Sequence, residues 1–383
     1  MYLRSSSASP LVHTVSVSVQ LSKSWQCLCT NSGLTPIKDA LLTSYDSSVA
    51  LPPFRAAILE YPYQGSLYEC TNSTASWLAL AAALNCSSKD SYLTCVRAAP
   101  ATTIQSIIEE SILAFNPVSD NVTLVTSPAA ARARGAFAKV RVLGGTNANE
   151  GRILEFGSSN VTALLDEFFG LLDPSVIPAL TAAFPVGNIT GYNTGYDQVS
   201  AIEGYWVFQC GQALWANETA AQGVPTWRYY FNASFPNKNY FPDSGVYHSS
   251  EIRLVWQTYY GGPVAPNTPG PLGLVPANVP PTAQEAALGQ YMNGAWAAFA
   301  RDPQHGPGWN RFGTFDGTDL GVLGANGSAG VTVIRQSEVD SVCQLFIPAY
   351  RALLGDKYGL GGPNTNTLSG GTYANATSKR VNW

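Results

Sequence analysis

Short, mostly apolar runs alternate along this chain with longer segments in which apolar residues recur every three or four positions. Phe54–Leu59 is a compact run suited to a strand buried on both faces, and Trp227–Phe231 is a second, rich in the aromatic residues that favour extended backbone. Lys139–Leu143 reads as a strand that Gly144-Gly145 is expected to end, with Glu150 on the loop beyond. Val331–Ile334 is a late strand, and the apolar–polar alternation of Val15–Leu21 favours a strand over a helix. Helical spacing marks Ala75–Leu84, Thr102–Phe115, Val161–Leu172, Val176–Phe184, Ala283–Ala300 and Val339–Leu354. In Thr102–Phe115 the apolar set is Ile104, Ile107, Ile108 and Leu113, and Ala283–Ala300 carries Tyr291, Met292, Trp296 and Phe299. Strands alternating with long helices predict an α/β fold. No internal repeat is visible, and no linker divides the chain into two domains.

Composition narrows the function class. Of 383 residues 45% are hydrophobic and only 12% charged, enough for a large core and too apolar for wholesale disorder. The net charge is −4 and the few Lys and Arg are scattered, which argues against a nucleic-acid surface or a polybasic membrane anchor. The best apolar run, Trp77–Leu84, is far short of the roughly 20 residues a transmembrane helix needs. Asn-x-Ser/Thr sequons begin at Asn72, Asn85, Asn121, Asn160, Asn188, Asn217, Asn232, Asn326 and Asn375, more than chance supplies, and they point to a secreted glycoprotein. The cysteines are Cys27, Cys29, Cys70, Cys86, Cys95, Cys210 and Cys343, an odd set that leaves at least one unpaired or paired elsewhere. Met1–Gln20 lacks the apolar core of a signal peptide, because Ser5, Ser6, Ser7, Ser9 and His13 interrupt it; the expectation is that the start of the protein is missing.

Two segments carry candidate chemistry, Gly145-Thr146-Asn147-Ala148-Asn149-Glu150-Gly151 and Ser244-Gly245-Val246-Tyr247-His248-Ser249-Ser250-Glu251. They resemble the acid and histidine stations of the carboxylesterase/lipase type-B family, α/β-hydrolases in which the acid precedes the histidine. Further segments resemble the family in the same order. Phe54–Glu60 is similar to the strand after the nucleophile helix, and Val224–Asn232 to the strand that leads to the histidine. Trp296–Pro303 and Gly306–Trp309 are similar to the late helix and its turn. The likeness covers residues 54–355 and, faintly, 15–21, and it is strongest toward the fungal secreted branch. It implies a serine-type carboxylic ester hydrolase without a cofactor, acting on a small-molecule ester, with Glu150 as triad acid and His248 as base. Leu84-Asn85-Cys86 and Leu93-Thr94-Cys95 resemble the family's small disulfide loop, which implies a Cys86–Cys95 bridge. Cys210 and Cys343 are a second possible pair without a motif to support it.

The nucleophile station is the departure. No Gly-x-Ser-x-Gly occurs in the chain. Where the family places its elbow the sequence reads Ala8-Ser9-Pro10, and Pro10 lacks the N–H an oxyanion hole would use. Asn326-Gly327-Ser328-Ala329-Gly330 is a near miss with Asn in place of the first glycine, and it follows the histidine, against the chain order of the fold. The expectation is therefore the C-terminal two-thirds of an α/β-hydrolase, lacking the first half of the sheet and the elbow, inactive as written and poorly soluble alone. Residues 1–53 are expected to be an atypical stretch arising from the gene model, 54–359 the partial esterase domain and 360–383 a loose tail. The alternative function is a non-catalytic cholinesterase-like binding module, against which the retention of both Glu150 and His248 argues. Asp243 and Glu251 compete with Glu150 for His248, although Glu251, three residues from the histidine, is better suited to a local structural role. No metal site is expected: Cys27-Leu28-Cys29 alone is not one, and no His/Cys/Asp cluster has ligand spacing. Nothing in the sequence reports an oligomeric state.

Overall fold

Among the described residues six strands form one sheet in which spatial order follows chain order: β1 (Thr14–Val17), β2 (Ala56–Glu60), β3 (Arg141–Asn147), β4 (Thr226–Phe231), β5 (Thr318–Leu323) and β6 (Val331–Arg335). The computed structural model describes residues 14–17, 52–60, 74–86, 91–111, 113, 115, 125, 131–132, 134–169, 176–187, 192–239, 241, 243–260, 280–313, 317–347 and 349–350. β1 to β5 are parallel, so their C-terminal ends share one edge of the sheet, and β6 returns antiparallel to β5. The described α-helices longer than a single turn are α1 (Thr74–Ala83), α2 (Tyr92–Ala98), α3 (Ala101–Glu110), α4 (Val161–Phe169), α5 (Val176–Ala183), α6 (Gly195–Glu203), α7 (Cys210–Ala221) and α8 (Ala283–Arg301). No described helix is long and apolar enough to cross a membrane.

Every residue of β2 and of β4 is buried, as a parallel sheet covered on both faces requires. The period-two alternation sends neighbouring residues to opposite layers. Ala56, Ile58, Trp227, Tyr229 and Phe231 pack with Leu288, Met292, Trp296 and Phe299 of α8 on one face. Ala57, Leu59 and Val142 pack with Trp215 and Ala216 of α7 on the other. α1, α2 and α3 form a satellite cluster that includes Cys86, disulfide-bonded to Cys95. A second bridge, Cys210–Cys343, spans 133 residues.

Three expectations need correction. β3 does not end at Gly144-Gly145: the ladder continues through both glycines to Asn147, with Gly145 opposite Glu60 on one side and Tyr229 on the other. A Cβ on Gly145 would lie 2.4 Å from Tyr229 Cγ, so the glycine marks a close approach rather than a strand end. The helix expected over Val339–Leu354 is interrupted at its start: a turn of helix, Ser337–Asp340, passes into a 3₁₀ segment, Ser341–Leu345, before α-helix resumes at Ile347, Ala349 and Tyr350. Asp340 there is bound to Arg228 and Cys343 to Cys210, so tertiary ties set the local path. Described helix in Thr102–Phe115 stops at Glu110.

Two elements escape the periodicity reading. β5 contains Asp319 and Gly321, which mask an extended run, and Gly321 lies under the Trp309 indole. The segment from α6 to α7 is continuous helix with a π-helical stretch, Gly204–Gln209, at its centre. A π-turn displaces backbone carbonyls from their usual partners; Trp206 O accepts from the Tyr350 hydroxyl instead, and the two rings stack with centroids 4.1 Å apart. Of the 1–53 stretch, Thr14–Val17 joins the sheet beside Ala56–Leu59. The tail expected at 360–383 lies outside the described residues.

Candidate active site

The parallel sheet delivers two loops to the same edge. β3 ends at Asn147, and Glu150 follows as the residue that opens a single helical turn, Gly151–Leu154. β4 ends at Phe231, and the chain after it carries His248 back to the same edge. Glu150 and His248 meet there, His248 Nδ1 lying 2.7 Å from Glu150 Oε2. The two side chains are 1% and 4% exposed, so the bond is shielded from competing water. Burial pushes the Glu150 carboxyl above its ordinary range, while the bond and charge of His248 and the Asn147 N–H, 2.6 Å from Oε1, pull it back down. A bond that runs from Nδ1–H to Oε2 is the one that leaves the imidazole lone pair on Nε2.

The loops are zipped together by residues that do no chemistry themselves. Asn149 N–H donates to Val246 O at 2.9 Å, and Val246 N–H donates to Asn149 Oδ1 at 3.0 Å. Arg152 donates to Asp243 O at 2.8 Å and pairs with Asp197 at 2.6 Å. Asp197 is the third residue of the Thr194 capping box at the start of α6. The helix bundle presses in from one side: a Cβ on Gly151 would lie 2.1 Å from Ser200 O, and the Phe208 ring of the π-helical stretch sits 4.7 Å from the His248 ring.

A buried polar chain runs on from the pair into the sheet. Glu251 accepts from Asn147 Nδ2 and from the Tyr229 hydroxyl, 3.3 Å from Oε1. Its place is therefore behind the acid loop, and Glu150 holds the Nδ1 bond. Asp243, the other competitor, offers its backbone carbonyl to Arg152. One strand over, Glu60 ends β2, accepts from Trp296 Nε1 at 3.0 Å and has no hydrogen-bond partner for Oε2 among the described residues. Burial raises its carboxyl to about 7. Asn147, Asn149, Glu60 and Phe208 were given no role from sequence. For the two asparagines the available signal was their place between the strand and Glu150; for Glu60, a carboxylate closing an apolar run.

The remaining sequence candidates lie elsewhere. Ser328 follows the turn Ala325–Gly327 between β5 and β6, where its hydroxyl accepts from Gly330 N–H at 3.2 Å. His305 pairs with Asp302 on the surface. Ser9, His13, Cys27, Cys29, Cys70 and the sequons at Asn72, Asn121, Asn188 and Asn375 fall outside the described residues. Asn85, Asn160 and Asn326 are exposed, whereas Asn217 and Asn232 are half-buried. Among the described residues no group of three His, Cys, Asp or Glu side chains is arranged to hold a metal ion.

A model of the carboxylesterase family matches residues 54–326. Secreted lipase 1 of Botryotinia fuckeliana is 26% identical over 236 residues, which are 53% of this chain and 40% of the lipase. Secreted lipase 5 of Gibberella zeae is 26% identical over 239 residues, 57% of this chain and 36% of that protein. The chain thus aligns with less than half the length of either curated relative. Among solved structures, Aspergillus niger EstA superposes with a TM-score of 0.57 at 18% identity, covering 83% of this chain and 62% of EstA. The architecture is that of an α/β-hydrolase.

Proposed function

We propose, from the premise that this chain belongs to the carboxylesterase family, that Glu150 and His248 are the acid and the base of a serine-type ester hydrolysis. The observation that carries the reading is the buried bond of 2.7 Å between His248 Nδ1 and Glu150 Oε2 at the C-terminal edge of a parallel sheet. In this reaction His248 Nε2 takes the proton of a serine hydroxyl as the oxygen attacks the ester carbonyl carbon. The imidazolium, stabilised by Glu150, then returns the proton to the departing alcohol. Water repeats the sequence on the acyl-enzyme and releases the carboxylic acid. The substrate class is a carboxylic ester.

The 383 residues contain no Gly-x-Ser-x-Gly. The proposal therefore includes that they hold two of the three triad members and do not turn over esters by themselves. The missing motif equally favours a second reading, a binding module of the same fold; the intact Glu150–His248 geometry favours the hydrolytic one. Two disulfides and relatives named as secreted lipases support an extracellular location. The exposed sequons at Asn85, Asn160 and Asn326 are the proposed glycan sites among the described residues.

The test joins residues 54–383 behind the upstream segment of a relative that carries a Gly-x-Ser-x-Gly elbow. Hydrolysis of p-nitrophenyl esters is expected from the joined protein, with a loss of about 10³-fold or more on His248→Ala, and none from the 383-residue chain. Turnover that survives His248→Ala overturns the reading.

A further inference from the structure

Asn147 closes β3 and is 1% exposed. Its two polar ends work in opposite directions. The backbone N–H donates to Glu150 Oε1 at 2.6 Å. The side-chain Nδ2 lies 2.9 Å from Tyr247 O, 2.5 Å from Glu251 Oε2 and 3.4 Å from Ser250 Oγ, all on the histidine loop. Tyr247 immediately precedes His248, so one residue grips the acid and, through the other end, the peptide that leads into the base. An amide nitrogen has two protons, and the strongest acceptors in reach are a carbonyl and a carboxylate. Those acceptors also fix the orientation of the amide: rotated by half a turn, it would set its oxygen against Tyr247 O and Glu251 Oε2. Oδ1 itself has no donor among the described residues, so the side chain contributes entirely as a donor. Glu251 is in turn steadied by the Tyr229 hydroxyl on β4, which ties this loop to the sheet.

We infer that Asn147 is a positioning residue that sets His248 against Glu150, with the Glu251 carboxyl as the anchor that keeps its amide in the donating orientation. This rests on the hydrolytic reading of the Glu150–His248 pair. The side chain acts by fixing the azimuth of the histidine loop, and no proton passes through it. Aspartate at this position would face a carbonyl and a carboxylate with no donor. A leucine would match the shape and leave both acceptors one donor short.

The chain has three histidines, so histidine-selective ¹⁵N labelling with a His248→Gln control isolates the His248 signals. The full chain is expected to show a low-field Nδ1–H proton for His248 and a single Nδ1–H tautomer, both lost in Glu150→Gln. In Asn147→Leu the low-field proton is expected to disappear and the two tautomers to exchange, while the circular dichroism stays native. A purely structural role would lower the melting temperature and leave the tautomer unchanged. If Asn147→Leu does not fold, Asn147→Ala gives the same reading. Independently of any variant, the Asn147 side-chain amide protons of the wild-type chain are expected to exchange at least about 100-fold more slowly than those of an exposed asparagine. Persistence of the His248 signals unchanged in Asn147→Leu, or fast exchange of the Asn147 amide, overturns the inference alone. Absence of the low-field proton in the wild type, or its survival in Glu150→Gln, overturns the hydrolytic pair as well.

Discussion

Asn149 and Val246 exchange two hydrogen bonds, one in each direction, directly beside the Glu150–His248 contact. The bonds run between the loop that follows β3 and the loop that precedes the turn of helix at Ile252–Val255, segments that share no secondary structure. They make the relative position of Glu150 and His248 a property of the loop pair rather than of either side chain.

Removing one of these bonds has a definite cost. Asn149→Ala deletes the acceptor of the buried Val246 N–H and keeps the backbone bond in the other direction. A loss of about 1–2 kcal/mol in unfolding free energy is expected from urea titration. An unchanged midpoint would mean that the two loops are held by other contacts.

Glu60 makes stability depend on pH. Its folded pKa of about 7 lies above the ordinary carboxyl value of 4.5, so between these pH values the folded chain holds a proton that the unfolded chain releases. The contribution to stability is complete below about pH 4.5 and is lost as pH rises through 7, in total about 3 kcal/mol. Glu60→Gln keeps the acceptor for Trp296 and removes the titration. The variant is expected to match the wild type in melting temperature near pH 4.5 and to exceed it at pH 8. Parallel pH profiles would show that Glu60 is ionised without penalty.

On the opposite face of the sheet, Arg228 and Asp340 form an ion pair whose side chains are 1% and 0% exposed. Asp340→Ala strands a buried guanidinium and is expected to cost about 3–5 kcal/mol, whereas the apolar pair Arg228→Met with Asp340→Leu is expected to cost far less. Denaturant titration of the single and double variants decides between a charge effect and a packing effect; equal losses would point to packing.

The Cys210–Cys343 bridge closes a loop of 133 positions and lies two residues from Phe208, which packs on His248. Cys210→Ala with Cys343→Ala is expected to lower the unfolding free energy by about 2–5 kcal/mol. Thermal unfolding with and without reductant gives the comparison. A wild type indifferent to reductant, when the bridge is demonstrably broken, would contradict the expectation.

Much of this fold is readable in the sequence because burial leaves a simple signature. Phe54–Leu59 and Trp227–Phe231 are dense apolar runs, and they form strands covered on both faces. Ala283–Arg301 keeps its helical period because one side of it faces the sheet. The misses have local causes. Gly144 and Gly145 read as punctuation, yet Gly145 is small to admit the Tyr229 ring. β5 is hidden by Asp319, whose buried carboxylate accepts from Gly313 N–H, and by Gly321 beneath Trp309. The stretch after Ser337 follows Asp340 and Cys343 to partners more than a hundred residues away, which no local pattern records.

The site divides in the same way. Glu150 and His248 stand in motifs whose residue types and order signal their chemistry. The residues that hold them do not: Asn147 and Asn149 look like ordinary loop asparagines, and Phe208 sits in a helix with no sign of the π-turn that aims it. Their function lies in distances between segments, and a sequence carries no distances.

The most direct test of the account is the ¹⁵N spectrum of the His248 imidazole in the full chain, compared with that of Glu150→Gln. A protonated Nδ1 with a low-field proton and an unprotonated Nε2 are expected at neutral pH, replaced in the variant by a mixture of tautomers. A wild-type imidazole already divided between tautomers, or one indifferent to Glu150→Gln, would contradict it.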